Sequence, residues 1–73
     1  MTIQQIKELA ERKPFKPFVI TLDSGRKIEV NRDTEFLFPK NRPDTIYVFA
    51  SDGQGWIFEA EAVSALNDYG GGA

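Results

Sequence analysis

Ile3, Ile6, Leu9 and Ala10 recur at steps of three and four, and Gln4, Lys7, Glu8 and Glu11 fill the positions between them. That spacing gathers the apolar side chains on one face of a helix. Thr2 and Gln5 stand three apart, as a capping box requires, so each can serve a free backbone donor of the first turn. Pro14 pushes the residue before it out of the helical region, and the helix is predicted over residues 3–12. So short a helix does not hold alone in water and must dock on something.

Past the stiff connector Pro14-Phe15-Lys16-Pro17 the period falls to two. Phe18, Ile20 and Leu22 alternate with Val19 and Thr21, and Lys27, Glu29 and Asn31 alternate with Ile28 and Val30, which predicts two strands. Between them Asp23-Ser24-Gly25 reads as a tight turn, with Gly25 supplying a positive φ. Phe36, Leu37 and Phe38 form a third apolar stretch closed by Pro39. Thr45 to Ala50, rich in β-branched and aromatic residues, forms a fourth, and Trp56 to Glu59 returns after the turn at Ser51 to Gly55. Residues 60–67 admit two readings, a helical turn at Glu61-Ala62 or a closing strand over 63–67.

The predicted fold is mainly β with one N-terminal α-helix: a small five-stranded antiparallel barrel with the helix laid over one open end. Strands are expected at about 18–22, 26–31, 35–38, 45–50 and 56–59, within one domain spanning 1–69, followed by a flexible tail at 70–73. Ile3, Ile6, Leu9, Phe18, Ile20, Leu22, Ile28, Val30, Ile46, Val48 and Leu66 occupy the apolar phase of their elements and are the expected core.

Composition narrows the chemistry. The chain has 73 residues, of which 41% are hydrophobic, with no Cys and no His. Thiol nucleophiles, disulfides, sulfur-ligated zinc and the usual general base are all absent. No apolar run approaches the ~20 residues of a membrane span, and no signal peptide precedes the helix. A soluble, cytoplasmic protein without membrane, metal or cofactor is therefore expected. Asp23, Glu29, Asp52, Glu59 and Glu61 are the carboxylates from which a hydrolytic pair would have to come. Nothing in their spacing fixes two at a working separation, and Asp23 and Asp52 suit turns, so no enzyme is expected. Asp52 to Gly55 offers one carboxylate where a calcium loop needs several.

The net charge of −2 conceals an uneven layout. All nine bases lie within residues 1–42 beside six acids, whereas Pro43 onward holds five acids and no base. Arg12, Lys13, Lys16, Arg26 and Lys27 form a candidate patch for weak RNA contact, with solvated turn and helix-end charges as the plainer reading. The aromatic residues are too many for one inner wall. The Thr45–Ala50 strand is apolar on both faces, so Tyr47, Phe49, Trp56 and Phe58 are the candidate self-association edge.

Arg12-Lys13-Pro14-Phe15-Lys16-Pro17-Phe18, with Leu22-Asp23-Ser24-Gly25-Arg26, resembles a family of short uncharacterised bacterial proteins that share an RPFKPF…DGR opening. That resemblance covers roughly residues 3–67 and implies no activity. An N-terminal helix, then Leu22 to Ile28, then Ala62-Val63-Ser64 is similar in order to Sm-like and Hfq-like barrels. Those are SH3-like folds whose subunits join edge to edge into rings that bind RNA. Where that family carries a bend-permitting glycine and a Lys-His pair, this chain has Val30 and Ala60-Glu61. The expected function is a non-enzymatic SH3-like protein-interaction module, a homo-oligomer or the contact of another protein. The alternative is an Sm-like RNA-binding ring.

Overall fold

A computed structural model describes residues 2–68, and the expected tail at 70–73 lies outside them. Helix α1 spans Ile3–Glu11 and opens on a complete capping box. The Thr2 hydroxyl accepts from the Gln5 amide at 3.2 Å, and the Thr2 amide donates to Gln5 Oε1 at 2.9 Å. Arg12, ahead of Lys13-Pro14, is already extended at φ −66°, ψ 149° and ends the helix. Ile6 is wholly buried, and Ile3 and Leu9 pack beside it.

Six strands follow: β1 Phe18–Leu22, β2 Lys27–Val30, β3 Glu35–Leu37, β4 Thr45–Phe49, β5 Gly55–Glu59 and β6 Val63–Asp68. They form two antiparallel three-stranded sheets, ordered β2-β1-β6 and β3-β4-β5. The count exceeds the expected five because residues 63–68 form a strand of their own. A 3-10 turn at Ala60–Ala62 leads into it, so both readings of this stretch are partly realised. Among the described residues no strand pairing joins the two sheets into a closed barrel.

Local chemistry explains the turns. Gly25 and Gly53 both sit at φ +92°, the left-handed region that glycine enters without strain. The Gly25 amide donates to Leu22 O at 2.8 Å, which closes the β1–β2 hairpin. Between β2 and β3, the Asn31 amide donates to Thr34 Oγ1 and the Asp33 amide to Asn31 Oδ1, pinning a sharp change of direction.

The core lies between the sheets and under the helix: Ile6, Phe18, Ile20, Ile28, Val30, Ile46, Val48, Phe58, Ala60 and Val63 are buried. Ile3, Leu9, Leu22 and Leu66, expected deep inside, are only half-buried and form its rim. Phe18, Phe36 and Phe38 make a row of nearly parallel rings with centroids 6.3 and 5.8 Å apart, linking β1 to the second sheet. Lys7 Nζ stands 5.4 Å from the Phe38 ring centroid and ties the helix to the end of that row.

Candidate interaction surface

Strand β4 is apolar at four of its five positions, and pairing decides where each side chain goes. Ile46 and Val48 are buried, so Tyr47 and Phe49 lie on the opposite, outer face. Leu37 pairs with Tyr47, and Tyr47 pairs with Ile57. Directly opposed residues share a face, so Leu37, Tyr47 and Ile57 form one apolar row across all three strands. Leu37 is 53% exposed, Ile57 65% and Phe49 43%.

Phe49 extends the row toward the β4–β5 turn. Its ring lies over Gly55, where a Cβ would stand only 3.2 Å from Cδ1 of the ring. The Tyr47 and Phe49 rings sit 6.5 Å apart. Two carboxylates flank the patch on its own face: Glu35 opposite Phe49, and Glu59 opposite Thr45, whose hydroxyl donates to Glu59 Oε2 at 2.6 Å. The result is a flat apolar centre with acidic corners.

This arrangement divides the four residues singled out from sequence. Tyr47 and Phe49 belong to the central strand of their sheet and therefore lie on a face, not at an edge. Trp56 and Phe58 take the other phase of β5 and turn inward: Phe58 is buried, and Trp56 is half-buried against the core. Leu37 and Ile57 take their place on the surface. The signal that identifies them is the phase of β4, carried across the Gly53 turn into β5.

The basic residues are divided too. Arg12 Nη2 donates to Asp68 Oδ1 at 2.8 Å and to Lys16 O at 3.0 Å, which fastens the helix end to β6. Its Nε is buried without a hydrogen-bond partner among the described residues. Lys13 and Lys16 are exposed beside it. Arg26 and Lys27 lie at the β1–β2 turn, at the other end of β1, because Phe18 faces Val30 while Thr21 faces Lys27. About four residues at ~3.3 Å each separate the two groups. The base that does join Arg12 and Lys13 is Arg32, across a groove of about 670 Å³ that also exposes Phe15 and Phe36.

The carboxylates stay apart. Asp52 accepts from the Gln54 amide in its own turn, Glu59 holds Thr45, and Asp23, Glu29 and Glu61 are exposed. Among the described residues no three acids gather as a metal site, and no helix is long and apolar enough to cross a membrane. Fold and surface together define a class, a small mainly β domain with an apolar sheet face. Compared with known proteins, the chain matches no family model, no curated protein and no solved structure.

Proposed function

We propose that this chain is a non-enzymatic β module that acts by protein contact, and that its first partner is a second copy of itself, docked through the outer face of β3-β4-β5. The carrying observation is the row Leu37, Tyr47 and Ile57, extended by Phe49, on a sheet face that water would otherwise solvate. An antiparallel sheet with one face on its core ordinarily presents polar residues on the other. A patch that is apolar at its centre and polar at its rim is the usual anatomy of a contact surface. Two such faces meeting about a two-fold axis near Tyr47 bury all four side chains and leave Glu35 and Glu59 at the solvated rim.

The two sheets are read as the halves of an SH3-like, Sm-like barrel. On this reading β2 and β3 are arms of one strand bent at Asn31–Thr34, which restores a count of five, and the 3-10 turn delivers the last strand to β1. An RNA-binding ring is less well supported, because Arg12 is engaged by Asp68 and the remaining bases of the proposed patch fall into two groups.

The test is molar mass by light scattering after size exclusion, at tens of micromolar protein, for the parent and for Ile57→Lys. The parent should run as a dimer and the variant, whose position is exposed, as a folded monomer. A monomeric parent, or a variant of unchanged mass, sinks the proposal. A gain in mass on adding total RNA would favour the ring instead.

A further inference from the structure

The groove between the end of α1 and the β2–β3 turn is a second surface, independent of the self-association face. Arg12 and Lys13 form one wall and Arg32 the other, with Phe15 and Phe36 between them. Arg12–Asp68 is the one ion pair among the described residues, so neither Lys13 nor Arg32 has an acidic partner there. Both are exposed, while Phe15 and Phe36 are half-buried. The turn carrying Arg32 is held by four hydrogen bonds between Asn31, Asp33 and Thr34, so this wall is built before any ligand arrives.

We propose that this groove binds a short acidic peptide segment, with carboxylates on Lys13 and Arg32 and an aliphatic side chain seated on Phe15 and Phe36. The volume, about 670 Å³, lies in the range that takes a few side chains. Cations on opposing walls select a negatively charged occupant and suppress a positive one. The aromatic geometry chooses peptide over nucleic acid. Phe36 lies nearly parallel to both Phe18 and Phe38, with centroids 6.3 and 5.8 Å away. Half-buried and nearly parallel to both neighbours, it leaves little open ring for a nucleobase to stack on. The small number of free bases, Lys13 and Arg32, further disfavours a dense run of phosphates.

The experiment is an amide-shift titration of the ¹⁵N-labelled protein with a capped five-residue peptide of alternating glutamate and leucine. A capped lysine–leucine peptide and a ten-nucleotide oligouridylate are titrated in parallel. Saturable shifts are expected at Lys13, Arg32 and Thr34, with a Kd below about 1 mM that weakens as salt is raised. The double reversal Lys13→Glu/Arg32→Glu should weaken binding at least about tenfold while leaving the rest of the spectrum in place, since both positions are exposed. Ile57→Lys should bind the peptide as the parent does, which separates this outcome from that of the self-association test. The proposal is overturned by any of four results. These are no saturable shift with the acidic peptide, equal binding of the lysine–leucine peptide or by the reversed variant, and tighter binding of oligouridylate at the same amides.

Discussion

Ile20 stands at the centre of the first sheet, fully buried, paired with Ile28 on one side and Leu66 on the other. Ile20→Ala removes three carbon atoms from this row. At about 0.8 kcal/mol per buried methylene the transfer loss alone is ~2.4 kcal/mol. The cavity left between two sheets that cannot fully collapse raises the total into the 2–5 kcal/mol range, and about 3 kcal/mol is expected. A 73-residue domain is stable by only about 4–11 kcal/mol. The variant should thus lose roughly 12–24 °C in Tm. Urea unfolding at one protein concentration measures the loss in free energy, followed both by Trp56 fluorescence and by far-ultraviolet circular dichroism. Trp56 lies in the second sheet, so coincident curves would also show that damage to the first sheet unfolds both together. Val19→Ala is the control: its side chain takes the other phase, is half-buried, and should cost under about 1 kcal/mol. Equal costs at the two positions, or less than about 1 kcal/mol at Ile20, would refute the assignment of the core to this phase of β1.

Thr2→Ala removes the helix cap and should destabilise by about 1 kcal/mol, read as a lower urea midpoint with an unchanged slope. Gly25→Ala places a Cβ where nothing lies within 4 Å, so its whole cost, again about 1 kcal/mol, is the positive φ. Gly25→Asn, which enters that region more readily, should lose less in the same urea assay.

Much of the fold was legible because local chemistry agreed with it. Thr2 and Gln5 mark the helix start, Pro14 its stop, and Gly25 its hairpin, and each signal needs only a few neighbouring residues. The phase of β2 was legible because Lys27 and Glu29 set a polar face against Ile28 and Val30, and in β1 Thr21 alone marks the outer face. Strand β5 has no such contrast: Trp56, Ile57 and Phe58 are all apolar, and alternation alone cannot say which two point inward. Pairing with β4 settles it, and this places Ile57 outside and Phe58 inside. Residues 60–67 were ambiguous because small Ala60 and Ala62 carry no period. Their structure is set from a distance, by the Ala60 amide donating to Asp44 O and the Asp23 amide to Ala62 O. The groove is not legible in the sequence for the same reason, since Arg32 reaches Arg12 and Lys13 only through the tertiary fold.

The pairing of the first and last strands imposes an order on synthesis. β1 receives β2 at once through a tight hairpin, but its other edge waits for β6, which the ribosome makes roughly fifty residues later. At 5–20 residues per second that interval is roughly 2–10 seconds. Throughout it, one edge of the nascent β1 has no partner from its own sheet. Helix α1, made before β1 and joined to it by a short proline-bounded connector, is an apolar surface already at hand to shield it. Its amphipathic face is free to cover β1 before β6 is made, and in the finished protein it is part of the core.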